Sequence, residues 1–321
     1  MKGFVKSAVK NMVNSLISCL SKGLWGVKLL NRIYENATSI KLINFIWGST
    51  PRPKFDFTWS IKLLNGNVVK VPVKAADKKS WEFALSYKWS DKSLTIAESA
   101  LHDYYDKHYC FIDIGANLGL RTLYPLSVKR PVILFEPNGG LKKFTQEVYV
   151  LNEFSGYAFE NICLSEQNGE INFYISPSSY MSSIYKENAE MDKEEGKVKV
   201  EIVKTTTLDS YLEHKLQIKP KIIKIDTEGN EYSILKGALN TIQKHQPAII
   251  VEILPQTKNG VELYNLLKDF GYICFALSDE GNVSSIYEIK MHTALDFSKV
   301  NNFLFVNDAK LSALISDLIT T

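Results

Sequence analysis

The sequence predicts an α/β fold in which a mostly parallel sheet is covered by helices on both faces. Three observations carry this. From residue 109 onward, strand-like apolar runs alternate with helix-like stretches, the pattern of a doubly wound sheet. The stretch "FIDIGANLGLRT" (Phe111 to Thr122) runs from a buried-strand sequence into a glycine loop and then an apolar helical segment. Glu136 ends the second strand-like run 21 positions after Gly115, the spacing of an acid that binds ribose hydroxyls.

The elements follow in order. Residues 1–50 read as helical until "STPRP" (Ser49 to Pro53) breaks the pattern. In "FTWSIKLLNGNVVKVPV" two strand-like runs flank Asn65-Gly66, a strong hairpin signal. Residues 79–107 read as helix. Strands are expected at 109–114, 132–136, 157–163, 170–175, 221–226, 248–253, 272–277 and 302–306. Helices are expected at 119–128, 139–151, 207–215, 230–245 and 259–270. "DAKLSALISDLI" is a last helix, with Asp308 as its N-cap. The serine-rich, then charged stretch at 176–206 breaks the rhythm. It reads as an exposed, mobile excursion, with a lid over cofactor and acceptor as the alternative. Three segments result: a basic amphipathic segment (1–50), a hairpin-plus-helix extension (51–107) and a catalytic domain (108–321).

Charge is uneven. Residues 1–50 carry seven basic residues against Glu35 alone, a net +6, so the remainder is about −3. That balance excludes a general polyanion binder and argues against nucleic acid. No apolar run reaches the roughly 18–20 residues that cross a bilayer. Phe4, Val5, Ala8, Val9, Met12, Val13, Leu16, Ile17 and Leu20 repeat at helical spacing opposite Lys6 and Lys10. Such a helix docks on protein, a second subunit included, or lies on an anionic membrane surface. The four cysteines lie far apart without a C-x-x-C pair, which fits a reducing cytosol better than a zinc site or disulfide framework. The five histidines are scattered, and surface positions are expected for them. Trp81, Tyr87 and Trp89 are read as core rather than as a sugar-stacking platform.

Two stretches carry chemistry. Gly115 permits a sharp turn off the strand end, and Asn117 tolerates left-handed geometry. A pyrophosphate needs more glycines than this loop has, so the loop suits a ligand without phosphates. Glu136 adds an adenosine-type ligand to that reading. In "KIIKIDTEGNEYSILKGAL", Asp226, Glu228 and Glu231 put three carboxylates at the end of one buried strand. Clustered acids repel unless a cation or a proton sits among them. They are read as base and orienting groups, as ligands of magnesium or calcium (Asp226 and Glu228), or as helix-capping acids.

The run "FIDIGANLGLRT … VILFEPN … NICLSEQNGEINFY … TTTLDSYL … IIKIDTEGNEYSILKGA … PAIIVEI" resembles the FkbM family of S-adenosylmethionine-dependent methyltransferases over residues 108–255. The resemblance implies the class I methyltransferase fold, Rossmann-like, with seven strands and the last one antiparallel. It implies S-adenosylmethionine as cofactor, S-adenosylhomocysteine as product, and methyl transfer to a hydroxyl. The acceptor implied is a saccharide (a cell-surface glycan or nucleotide sugar), with a polyketide or other small natural product as the alternative. Asp113, Gly115, Ala116, Asn117 and Gly119 are thereby assigned to the methionine and ribose side of the cofactor. Glu136 is assigned to the ribose, Pro137 and Asn138 to the adenine side, and Asn161 to a position near the adenine. Asp226, Glu228 and Glu231 line the place where cofactor and acceptor meet. Leu120 and Arg121 depart from the family's pattern. A cytoplasmic enzyme, at most peripheral to the membrane's inner face, is the expectation. A non-catalytic carbohydrate-binding or scaffold protein on the same fold is the rival.

Overall fold

The computed structural model describes residues 12, 15–16, 19–20, 22–35, 55–75, 77, 79–81, 83–84, 91–192, 196–255, 257, 259–280, 283–290, 295–297 and 299–318. The expected helix over the first 20 residues, the break at 49–53, and Tyr87 and Trp89 lie largely or wholly outside them. No helix among the described residues is long and apolar enough to cross a membrane.

The chain divides into two units. The smaller contains the expected hairpin, β1 (Phe57–Lys62) and β2 (Val68–Val73), paired antiparallel from Phe57↔Val73 to Lys62↔Val68. Strand alternation buries Trp59, Ile61, Val69, Val71 and Val73. Trp81 packs edge-on to Trp59 at 5.5 Å and is core, as expected.

The larger unit is the α/β body. Its strands are β3 (Cys110–Ile114), β4 (Val132–Phe135), β5 (Tyr157–Glu160), β6 (Cys163–Leu164), β7 (Gly169–Ile175), β8 (Lys199–Thr206), β9 (Pro220–Ile225), β10 (Ala248–Glu252), β11 (Ile273–Glu280), β12 (Val283–Ile289) and β13 (Asn302–Val306). The main sheet runs in the order β12-β11-β13-β10-β9-β3-β4-β5. β5, β4, β3, β9 and β10 are parallel, and β13 runs antiparallel to both β10 and β11. Setting β12 aside, this is the class I methyltransferase order expected from the sequence. β12 extends the sheet to eight strands, one beyond the seven expected.

β3, β4 and β13 are buried along their whole length, so their sequences are apolar apart from Asp113 in β3 and Asn302 at the start of β13. Ile112, Ile114, Ile223, Ile225, Ile249 and Val251 form one core with Ile234, Leu235, Ile242, Leu263 and Leu267 from the covering helices. The expected 230–245 helix is two helices, Glu231–Lys236 and Leu239–His245. Gly237 breaks it against Ser165, whose carbonyl oxygen would lie 2.2 Å from an added Cβ. Asp308 caps the last helix, accepting from the amides of Lys310 and Leu311 at 2.9 and 3.0 Å.

Two expectations are corrected. His102 is not a surface histidine: it is buried, stacked 5.5 Å from Tyr124 and edge-on to Phe111. Burial holds its pKa well below normal, so it is a neutral core residue. Likewise 176–206 is not a purely exposed excursion. β7 and β8 pair antiparallel across it, and Ser176, Ser179, Ser183, Asn188 and Ala189 are buried. The run of serines hid this, because Ser179 and Ser183 direct their hydroxyls at distant acceptors, Asn117 Oδ1 and the Glu228 carbonyl, that no local pattern reveals.

Candidate active site

Parallel strands place their carboxyl ends along one edge of the sheet, where ligands of such folds bind. The sequence-predicted residues all lie at or just beyond the ends of β3, β4, β5 and β9.

The first cluster is the loop after β3. Gly115 has a φ of 79°, and an added Cβ there would lie 1.8 Å from the carbonyl oxygen of Asp226. Both conditions demand glycine. Asn117 adopts the left-handed geometry expected of it, with φ 49°. The amides of Gly115 and Ala116 donate to the carbonyl of Phe135 at 3.0 and 3.1 Å, tying the loop to the end of β4. There Glu136 accepts from the amide of Asn117 through Oε2 and from that of Asn138 through Oε1, each at 2.8 Å. Burial raises its pKa to about 7 against the pull of those two amides. Asn161 donates to the carbonyls of Glu136 and Pro137 at 2.8 and 2.7 Å. Glu136, Pro137, Asn138 and Asn161 therefore form one connected rim.

Asp113 sits beneath, opposite Lys224 in the β3–β9 register. Neither of its carboxylate oxygens has a hydrogen-bond partner among the described residues. Burial raises its pKa to about 6, with Lys224 pulling it down.

The second cluster is the turn after β9. Lys224 Nζ donates to Asp226 Oδ2 at 2.7 Å. Burial acts to raise the Asp226 pKa, but Lys224 and neighbouring donors outweigh it and hold Asp226 low. Glu228 adopts φ 57°, a region that costs a non-glycine residue about 1–3 kcal/mol. Its Oε2 is buried without a partner among the described residues. Burial first, then Asp226 and Glu231, push its pKa up to about 8. Glu231 braces the turn from inside: its Oε1 accepts from the Thr227 amide (3.0 Å), the Thr227 hydroxyl (2.9 Å) and the Gly229 amide (3.0 Å).

Sequence reasoning missed three contributors. Glu252 ends β10, and one oxygen each of Asp226, Glu228 and Glu252 lie within 4.8 Å of one another. Burial and Asp226 drive the Glu252 pKa far up, and its carboxyl hydrogen-bonds Asp226, so the two titrate as a pair. Its signal was an acid closing a buried apolar run, as Asp226 does. Lys224 carried a similar signal, a cation inside the buried strand "KIIKI". The third contributor is the segment after β7. Ser183 Oγ and Asn188 Nδ2 donate to the Glu228 carbonyl at 2.8 and 2.6 Å, and Ser179 Oγ reaches Asn117 Oδ1 at 3.4 Å.

Arg121, which departs from the family pattern, is tied to residues 91–98, and its charge still acts on Asp113 and Asp226. It donates to Thr95 Oγ1 at 2.9 Å and reaches Glu98 and Asp91 at 3.3 Å. No cationic side chain stands among Asp113 to Gly119, while Asp113 and Glu136 offer buried carboxylates. This donor set suits hydroxyls and a cationic ligand better than a phosphate.

A model of the methyltransferase FkbM domain matches residues 113–274, about half of the chain. The hexuronic acid methyltransferase AglP of Haloferax volcanii is 27% identical over 177 residues, 50% of this chain and 67% of that protein. The structure of a methyltransferase FkbM from Methylobacillus flagellatus aligns with a TM-score of 0.41 and 17% identity, over 72% of this chain and 55% of that one. A SAM-dependent methyltransferase from Agrobacterium tumefaciens aligns with a TM-score of 0.39 and 8% identity, over 78% of this chain and 70% of that one.

Proposed function

From its membership of the FkbM methyltransferase family, we propose that the chain transfers a methyl group from S-adenosylmethionine to a hydroxyl of a saccharide. The observation that carries the reading is the pairing of the two clusters: Gly115 packs directly on Asp226, so a cofactor loop and an acidic turn share one wall. When bound, the cofactor supplies an electrophilic methyl carbon on a sulfonium. Glu136 and its rim would hold ribose hydroxyls, each of its oxygens keeping a lone pair beyond the amide it already accepts. Buried acids such as Asp113 favour a cation nearby.

Acceptor chemistry falls to Glu228. A saccharide hydroxyl is a weak nucleophile, and a positioned base that takes its proton adds about 10²–10⁴-fold. A carboxylate with a pKa raised to about 8 is far better matched to that proton than an ordinary one. Asp226, held ionised by Lys224, supplies the negative field that keeps Glu228 basic. The surplus of acids also favours a neutral hydroxyl over an anionic carboxylate as acceptor. The saccharide class is supported by the likeness to AglP, a hexuronic acid methyltransferase.

A second reading is favoured by one observation. The oxygens of Asp226, Glu228 and Glu252 are close enough to bind one divalent cation, which would lower the acceptor's pKa in place of a base. Activity lost on treatment with EDTA and restored by magnesium would select it.

The test is transfer of labelled methyl from S-adenosylmethionine to a panel of nucleotide sugars and uronic-acid oligosaccharides. An alkali-stable product, an ether, is expected. An alkali-labile methyl ester would replace the hydroxyl with a carboxylate acceptor, and cofactor binding without any transfer would favour the non-catalytic rival.

A further inference from the structure

The geometry points to Ser183 and Asn188 as positioning residues for Glu228, which they hold by its backbone carbonyl; this rests on the reading of Glu228 as the base. Glu228 stands in left-handed geometry (φ 57°) and is followed by Gly229 at φ 115°. Glycine takes such a φ freely, but a glutamate there persists only where its surroundings over-determine it. From within the turn, Glu231 fixes the amides of Thr227 and Gly229. From outside, the carbonyl of Glu228 accepts from the Ser183 hydroxyl at 2.8 Å and the Asn188 amide at 2.6 Å.

These donors are themselves rigidly held. Ser183 is fully buried and makes a two-way backbone bridge to Tyr174, on β7, at 2.8 and 3.0 Å. Asn188 lies in the helix Lys186–Glu190 and is buried. Gly229 completes the fit, since an added Cβ would lie 2.9 Å from Asn188 Nδ2 and 3.3 Å from the Tyr185 ring. A peptide unit clamped on both sides leaves the Glu228 side chain one origin, which is what a base that must meet a hydroxyl within hydrogen-bond reach requires.

The experiment compares Asn188→Ala, Asn188→Asp and Ser183→Ala with the wild type, all as the full chain. Amide hydrogen exchange over residues 227–230 reads the clamp directly. In Asn188→Ala it is expected to rise about tenfold or more while the strands keep their protection. With labelled S-adenosylmethionine and UDP-glucuronic acid as the acceptor probe, kcat should fall about 10–100-fold, with the KM for the cofactor within about twofold. Asn188→Asp, which replaces the donor with an acceptor facing a carbonyl, should behave alike. If Asn188→Ala does not fold, Ser183→Ala carries the same test with a smaller effect. Unchanged exchange at 227–230 in folded variants overturns the proposal, as does an unchanged kcat beside a dead Glu228→Gln. Full activity in Glu228→Gln would instead overturn the base assignment, while exchange would still report on the clamp.

Discussion

The loop after β3 and the turn after β9 lie against each other, yet they are built on opposite terms. In the loop, Glu136 has a backbone amide on each oxygen and Asn161 bridges two carbonyls. These rim groups are satisfied before any ligand arrives, while Asp113 beneath them keeps both carboxylate oxygens without partners among the described residues. In the turn, Glu228 Oε2 and Glu231 Oε2 are buried without partners among the described residues, and Glu228 carries backbone strain. Preorganised polarity suits binding, because little reorganisation is needed. Unpartnered, strained acid suits chemistry, because its proton affinity is raised where a proton must be taken. Neighbouring segments of one sheet edge thus divide the work between holding and reacting.

Breaking the wall that the two share should have the largest effect on stability. Gly115→Ala forces a Cβ to within 1.8 Å of the Asp226 carbonyl at a φ of 79°. A loss of roughly 2–3 kcal/mol in stability by denaturant unfolding is expected, and cofactor binding by calorimetry should fall with it. Glu136→Ala removes the carboxylate that closes the loop. It should weaken cofactor binding by about 10–100-fold, since hydrogen bonds to charged groups contribute about 1.5–3 kcal/mol.

The next test is pH. Burial raises the folded pKa of Asp113 to about 6, and of Glu98 and Glu136 to about 7, above their unfolded values. Between about pH 4.5 and 7 these three acids hold more protons folded than unfolded, which outweighs the proton that buried His102 refuses in the same window, so stability falls as pH rises. The ligand-free protein should melt at a higher temperature near pH 5 than near pH 7.5; a melting temperature that rises over this range would contradict the shifts. The smallest effect belongs to Asn161→Ala, which loosens the rim without touching Glu136's own carboxylate. A few-fold rise in the cofactor's dissociation constant, with kcat retained, would separate the rim from the turn.

Much of this was legible in the residues. Continuous apolar runs gave the parallel strands, and Asp308 and Asn117 behaved as their side-chain chemistry dictates. What escaped was mostly long-range. β12 follows β11 directly and was missed beside it, whereas β8 finds its partner β7 only across the intervening serine-rich and charged segment. Glu252 and Lys224 each look incidental in sequence, and gain meaning when the β3–β9–β10 register sets them beside Asp226. Ser183 and Asn188 are about forty residues from Glu228, and no local pattern marks them as its holders. Gly229 carried the one hint, a glycine whose missing side chain makes room for them.

Methyl transfer and cofactor binding measured side by side in Glu228→Gln test the central claim most directly. The substitution keeps the shape of the side chain and removes its ability to take a proton. Transfer from S-adenosylmethionine should fall by about 10²–10⁴-fold, while the cofactor's dissociation constant stays within about twofold. Transfer at the wild-type rate would contradict the division between a holding loop and a reacting turn.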